Sequence, residues 1–312
     1  MTHSPLIKRL RVLAAKIETT AGTPVSLAAS DAQFIVMDPT YKPNIDFNQR
    51  PLAASFSHMP GIPGARGGTL TFSAEATPHT AGGSVTISAP KFQITDVAPA
   101  DRNGIDVDTV SFQCNKSANA GNDELSIAFA GTPPAWASTF LPACGWVASG
   151  NTYSPKSEGL GTSVKALTMG CYCNGRLIKL AGAVGTFVVK LTNGKPAVFD
   201  FSFTGVWQDP TDVELLAPTW PTVKPVKFLD ADVTVALGSV EWQPVLSEIS
   251  IDAGNSVVLR EDATNASGYI SGLITSRRVT GTMNPEAPLV ATEDLHGNWT
   301  SMVEKELTVV LT

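Results

Sequence analysis

The sequence predicts a mainly β protein made of antiparallel strands. Apolar and polar residues alternate with a period of two from Phe187 to Leu191 and again from Val198 to Phe203. Between these runs stands Asn193-Gly194, a pair that accepts the positive φ angles of a tight hairpin turn. Helix-like spacing of apolar residues, by contrast, is confined to two short segments. We therefore expect a β-rich fold in which neighbouring strands are joined by hairpins.

The other elements follow from the same periodicity. Strands are predicted at Gly68 to Glu75, Ser84 to Ile87, Lys91 to Val97, Ile105 to Gln113, Glu124 to Phe129, Val164 to Cys173, Val245 to Ile251, Ser256 to Arg260, Val279 to Met283 and Glu306 to Leu311. Helices are predicted over Pro134 to Cys144 and Leu289 to Met302, where apolar residues recur at three- and four-residue spacing.

The segment from Asp46 to Gly68 is rich in proline and glycine and predicts a long extended loop. It carries five isolated apolar residues, Phe47, Leu52, Phe56, Met59 and Ile62. A lone domain would leave this apolar surface exposed. Because loops of this length are usually functional, we expect it to be ordered by a partner.

An internal duplication is visible in the sequence. Arg66 to Ala76 aligns without gaps on Arg277 to Ala287, and in each half a tryptophan-bearing helix lies downstream. Phe199 to Gly205 is aligned in the same way on Leu125 to Gly131. The repeats predict two similar β domains.

Composition and motifs exclude several function classes. Charged residues make up only 16% of the 312 residues and the net charge is -6. This composition argues against a nucleic-acid-binding surface, which needs clustered Lys and Arg. No apolar stretch approaches the ~20 residues of a membrane-spanning helix. Cysteine and histidine spacing predicts no metal site and no catalytic triad, and the glycines lack the spacing of a nucleotide-binding loop. We therefore expect neither an enzyme nor a cofactor.

Several segments together resemble the major tail tube proteins of long-tailed bacteriophages. They are Lys16 to Pro24, the run from Arg66 to Glu75, Ala89 to Ile94, Asp101 to Ile105, Asp123 to Leu125, Pro134 to Trp146, and Phe199 to Gly205. The resemblance covers most of the chain, although each motif is short and none is catalytic.

This resemblance implies two tube-type antiparallel β-sandwich or barrel domains, each with one flanking helix, that assemble into a β-barrel spanning a ring. It also implies a virion protein made in the host cytoplasm, whose partners are other copies of itself, the tape-measure protein, transiting DNA, and the tail terminator and baseplate proteins. Rings of three copies with pseudo-sixfold symmetry are expected, with six copies as the alternative. In such rings the loop from Asp46 to Gly68 is expected to be ordered by a neighbouring subunit or by the next ring.

The order of segments departs from the family. The block resembling residues 84 to 129 belongs at the C-terminal end of the family pattern, whereas here it interrupts the first half. We therefore predict a first domain of residues 1–76 plus 131–215 and a second of residues 216–312 plus 77–130. Residues 84 to 129 should then pack with residues 245 to 312.

Acidic residues on predicted strands are candidates for a lumen wall. Asp106 and Asp108 are predicted to share a face opposite Ile105 and Val107, and Asp200 lies opposite the neighbouring phenylalanines. The competing hypothesis is a carbohydrate-binding or adhesive β-sandwich module of a virion, which would need aromatic residues aligned on an exposed face.

Overall fold

The structure is a computed structural model that describes residues 11–51, 53, 57–116, 124–161 and 163–312. Strands β1 to β9 are Arg11–Ile17, Val36–Pro51, His58–Glu75, Val85–Arg102, Ile105–Cys114, Ser126–Phe129, Trp146–Ser149, Thr152–Pro155 and Leu167–Cys173. Strands β10 to β18 are Arg176–Thr192, Val198–Asp212, Asp232–Leu237, Val240–Trp242, Leu246–Asp252, Asn255–Glu261, Tyr269–Arg277, Thr280–Pro285 and Glu304–Leu311. The α-helices are α1, Ala135–Ala143, and α2, Leu295–Thr300, and a 3-10 helix covers Ala29–Ala32.

These elements confirm the prediction of a mainly β, antiparallel fold. One large sheet runs in the order β13-β12-β18-β4-β5-β17-β14-β10-β11-β3-β2, and β15 and β16 form a separate two-stranded sheet. Within the described chain the sheet does not close into a barrel. A single chain therefore presents an open sheet rather than a closed barrel domain.

Helix α1 covers the apolar face of the strands around β11. The alternating phenylalanines of β11 point to the same face, and Phe201 lies against Phe72, Phe140, Phe187 and Trp136 with ring centroids 5.4, 5.3, 5.9 and 6.4 Å away. These rings are almost completely buried. The period-two pattern seen in the sequence thus forms one side of an aromatic core.

The block interrupting the first half pairs with strands near the C-terminus. Strand β4 pairs with β18 from Val85 to Gln93, and β5 pairs with β17. Strand β6 also pairs with β4 but extends its ladder to β8, so this block contacts both halves. The division into two domains stays a prediction, because one apolar core joins the strands of both halves.

The strand neighbours correct one alignment of the repeat. Thr71, aligned on Thr282, pairs with Ser202 of β11, whereas Thr282 pairs with Ser111 of β5. The counterpart of Phe199 to Gly205 is therefore in β5, and the alignment on Leu125 to Gly131 is wrong. Seven residues of alternating apolar and polar type are too few to distinguish one strand from another.

The second predicted helix is shorter than expected. Helix α2 begins after Asp294, whose side chain accepts a hydrogen bond from the N–H of Gly297. Leu289 and Val290 lie outside the helix and are 78% and 73% exposed. Their spacing suggested a helix face, but nothing in the described chain covers them.

The small β15–β16 sheet lies across β10, β11 and β3. An ideal Cβ on Gly182 would lie 2.7 Å from Ser271, and one on Gly272 would lie 2.7 Å from Val184. At the other end, the N–H of Arg66 donates to the carbonyl of Ser267 (2.9 Å). Glycines at these crossings allow the backbones of the two layers to pack directly against each other, because there is no room for a Cβ atom.

Candidate assembly surface

The face of the sheet opposite α1 is lined by short hydroxyl side chains. Directly opposite residues in adjacent strands point to the same face, and the pairs Thr40–Thr71–Ser202–Thr186 and Ser250–Thr282–Ser111–Asp96 form two matching rows. We call this surface the Ser/Thr face. It also carries the carboxylates of Asp96, Asp200, Glu248 and Asp252 and the ammonium groups of Lys42 and Lys190.

Asp200 lies on the Ser/Thr face as predicted from its alternation. Its carboxylate accepts a hydrogen bond from Ser73 and forms an ion pair with Lys190 (2.7 Å). The lysine side chain is 58% exposed, so solvent screens this pair and it adds little to stability.

Asp106 and Asp108 share a face opposite Ile105 and Val107, as predicted, but this face is not the solvated one. Val110 and Phe112 of β5 are buried in the core, and residues two apart in a strand share a face, so both aspartates belong to the core-facing side. Asp108 is only 9% exposed, whereas Asp106, near the hairpin end, is exposed. The alternation was assigned from Ile105 and Val107; counting back from Phe112 would have given the correct face.

The predicted loop from Asp46 to Gly68 is a β-hairpin in its described part, so the loop prediction is wrong there. Strand β2 pairs with β3 from Val36 opposite Ala74 to Pro51 opposite His58. Prolines at the outer edge of a hairpin cost no ladder bond, so they did not prevent strand formation. The alternation of Tyr41, Ile45 and Phe47 with polar residues was the signal that the sequence reading missed.

The distal part of this hairpin, residues 43–51 and 58–64, is here named the arm. Phe47, Met59 and Ile62 are 66%, 42% and 51% exposed. Leu52 and Phe56, predicted with them, lie outside the described residues. On both faces of the arm, almost all described residues are exposed to solvent. A two-stranded ribbon of this kind is marginally stable alone.

The two repeats join through a seam inside the chain. Strand β10 pairs with β14, with Val188 opposite Asp252 and Lys190 opposite Ser250. Across this seam the N–H of Ala253 donates to the carbonyl of Phe187 and that of Asn193 donates to the carbonyl of Ser247. The alternation of an antiparallel ladder makes Val188–Asp252 and Lys190–Ser250 the close pairs without backbone bonds between them.

Two open strand edges, one in β2 and one in β4, are the counterparts of this seam. Thr40 corresponds to Ser250, and Asp96 to Thr186, as the two rows of the Ser/Thr face show. The outer edge of β2 and the Ile94 to Arg102 edge of β4 have no strand partner among the described residues. The sheet therefore presents two open strand edges that match the two sides of its own seam.

Prolines occur on both open edges. Pro43 corresponds to Ala253, whose N–H donates across the seam, and Pro99 corresponds to Val189. Each proline thus lacks an N–H on the outward side of its strand. Proline on an outward position is a common way to restrain an exposed edge.

A buried carboxyl group supports the site where β16 crosses β10. Glu18 is 4% exposed, and its carboxylate accepts hydrogen bonds from Gly182 N–H (2.8 Å), Gly22 N–H (2.7 Å) and the Thr168 hydroxyl (2.8 Å). Burial raises the pKa of Glu18 above its ordinary value of 4.5, although these hydrogen bonds act in the opposite direction.

The raised pKa predicts a pH-dependent stability. The folded state holds the Glu18 proton more tightly than the unfolded chain, so this group's contribution to the free energy of unfolding falls as pH rises from about 4.5 through the raised pKa. The unfolding free energy of wild type minus that of Glu18→Gln should therefore decrease as pH rises through that window in urea titrations. A difference independent of pH would contradict the prediction.

The geometry gives little support for metal binding or for a reactive thiol. Among the described residues no group of three or more His, Cys, Asp and Glu side chains could hold a metal. The four thiols are buried, and burial raises the pKa of Cys171 to about 12, with neighbouring Cys173 adding to the shift. A thiol that stays protonated is a poor nucleophile.

The comparisons with known proteins give no family. No protein-family model and no curated protein matches the sequence. No helix in the described part of the chain has both the length and the apolar character that a membrane crossing needs. The case for a function therefore depends on the geometry of the sheet and its edges.

Proposed function

We propose that the protein is a structural subunit of a bacteriophage tail tube, which polymerises as stacked rings around a conduit for DNA. The observation that carries this proposal is the match between the open edges of β2 and β4 and the two sides of the β10–β14 seam. If β4 of one copy meets β2 of the next as β10 meets β14, the sheet continues from copy to copy and closes into a ring-spanning barrel.

The register of the joint follows from the correspondence. Lys190 pairs with Ser250 in the seam, so Ala100 should lie opposite Thr40 of the next copy. By the same reasoning Ala98 should lie opposite Lys42. Three copies would give six repeats around the ring, and six copies would give twelve.

The part of the Ser/Thr face that the β15–β16 sheet leaves open would line the lumen, because α1 covers the other face. Hydroxyl groups and carboxylates on this wall favour transit of DNA or of a tape-measure protein, since like charge keeps phosphates from adhering. This surface makes no base-specific contact in the proposal. The partners at the tail ends, a terminator and a baseplate, belong to the same proposal, as does the virion tail as its location.

The carbohydrate-binding alternative has less support. Trp136, Trp146 and Trp207 are buried in the core, so they do not contribute to an exposed aromatic platform. Glycan-binding monomers in solution would favour that alternative.

A cysteine pair tests the joint directly. Lys42→Cys with Ala98→Cys should form a disulfide between copies, because an antiparallel pair without backbone bonds brings its Cβ atoms to about 4.5 Å, within reach of a disulfide. The native cysteines are buried and do not compete. Non-reducing gels should show a covalent ladder ending at the closed ring, and electron microscopy should show rings or tubes.

The matched control shifts the register by two residues. Lys42→Cys with Ala100→Cys would place the Cβ atoms about 7–8 Å apart, so it should link poorly. Equal linking in both variants, or dispersed monomers without rings, would refute the proposed joint.

A further inference from the structure

We propose that the arm of one copy lies across the β4–β5–β17 part of the neighbouring copy, in the position that β15–β16 occupies within the chain. This inference rests on the proposed ring. The occupant is a second copy of this chain, and the argument comes from the internal repeat.

The arm and the β15–β16 sheet are the same element in two repeats. Their ladders agree pair by pair: Ile45–Arg66 with Asn255–Arg277, Phe47–Pro63 with Val257–Ile274, Asn48–Ile62 with Val258–Leu273, and Pro51–His58 with Glu261–Tyr269. Both ladders also break register at the same two places. The arm thus differs from its counterpart in what it contacts rather than in how it is built.

The counterpart is docked. Gly272 and Ser271 of β16 are buried against β10, and Asn255 of β15 donates through its side chain to the carbonyl of Gly185 (2.9 Å). This sheet grows out of β14 and β17 and lies on the repeat to which β14 is joined. An arm growing out of β2 and β3 should therefore lie on the repeat to which β2 is joined, which belongs to the next copy.

The receiving surface is open in the single chain. A hollow of about 400 Å³ lies beside Thr95, Ser111, Arg278 and Thr280, at one end of the Ser/Thr face. An arm docked there would cover this end of the face and leave the rest of it to the lumen. Its counterpart in the first half is occupied, because an ideal Cβ on Gly67 would lie 2.4 Å from the Leu259 side chain. Thr95 and Arg278 are exposed, whereas Gly67 is buried.

Both residues of the proposed contact between copies differ from their counterparts in the contact within the chain. Gly67 corresponds to Arg278, and Leu259 corresponds to Gln49. In the chain a glycine makes room for a leucine; between copies an arginine would face a glutamine, whose amide oxygen accepts from a guanidinium. The exchange replaces an apolar contact by a polar one.

The sides of the arm are also predicted. Val257 and Leu259 are half-buried on the docked side of β15, whereas Ser256 and Val258 are exposed. Phe47 and Gln49 should therefore face the neighbouring copy, and Asn48 should face solvent. In this placement Phe47, which is 66% exposed in the single chain, would pack against the neighbouring copy.

Mixed single-cysteine variants test this placement. Gln49→Cys protein is assembled with Arg278→Cys protein, so any disulfide between the two positions joins different copies. We expect about tenfold more linkage than with Asn48→Cys in place of Gln49→Cys, because disulfide formation requires Cβ atoms within about 4.5 Å. Peptide mapping identifies the linked positions.

The outcomes separate this inference from the ring itself. A parallel mixture of Lys42→Cys and Ala98→Cys reports the edge joint. If the edge link forms and the 49–278 link does not, the arm placement is wrong and the ring proposal stands. If neither link forms, both proposals fail.

Discussion

Removing the arm should abolish assembly while leaving a folded monomer. Replacing residues 44–64 by an Asn-Gly turn removes a segment whose described strand residues are mostly exposed, so the free energy of unfolding should change by less than about 1 kcal/mol. Assembly should be lost because the contacts that the arm makes with a neighbouring copy would be absent. Light scattering and electron microscopy report assembly, and urea titration reports stability.

A control distinguishes the arm from any exposed apolar surface. Leu289 is 78% exposed and lies outside the arm, so Leu289→Ser should assemble normally. Tubes of ordinary diameter from the arm-deleted chain would show that assembly does not need this hairpin.

Phe201→Ala should have the largest effect on stability. Phe201 is 2% exposed and packs among Phe72, Phe140, Phe187 and Trp136. Loss of such a buried ring leaves a cavity and costs about 3–5 kcal/mol. The midpoint of urea unfolding should fall strongly, and many copies should be unfolded at physiological temperature.

The matched substitution on the surface is Ile62→Ala. Its side chain is 51% exposed, so the free energy of unfolding of the monomer should change by no more than about 0.5 kcal/mol. If the two substitutions had similar effects, the aromatic cluster would not be the main core of the molecule.

Strand identity was predictable where one face is buried. The hairpin of β10 and β11 follows from strict alternation, because every second side chain enters the aromatic core. Helix α1 was likewise predictable from its apolar spacing. The arm was missed because the prolines of β2 and the prolines and glycines of β3 conceal an alternation that has no core to fill.

The candidate surface was less predictable. The facing of Asp108 depends on which neighbours define the core, and only Val110 and Phe112 settle it. The seam between β10 and β14 joins residues more than fifty positions apart, and no local pattern encodes such a pairing. The internal repeat provided the necessary alignment, but its meaning depends on the observed strand neighbours.

The prolines on the open edges have a consequence for the kinetics of polymerisation. In the proposed joint Pro43 and Pro99 can accept but not donate, so each of their backbone pairs keeps one hydrogen bond of two. With a typical bond worth about 1 kcal/mol, a lone edge contact would be short-lived. Growth would then require the edge and the arm to engage together, which predicts a sharp critical concentration and a lag before the first ring forms.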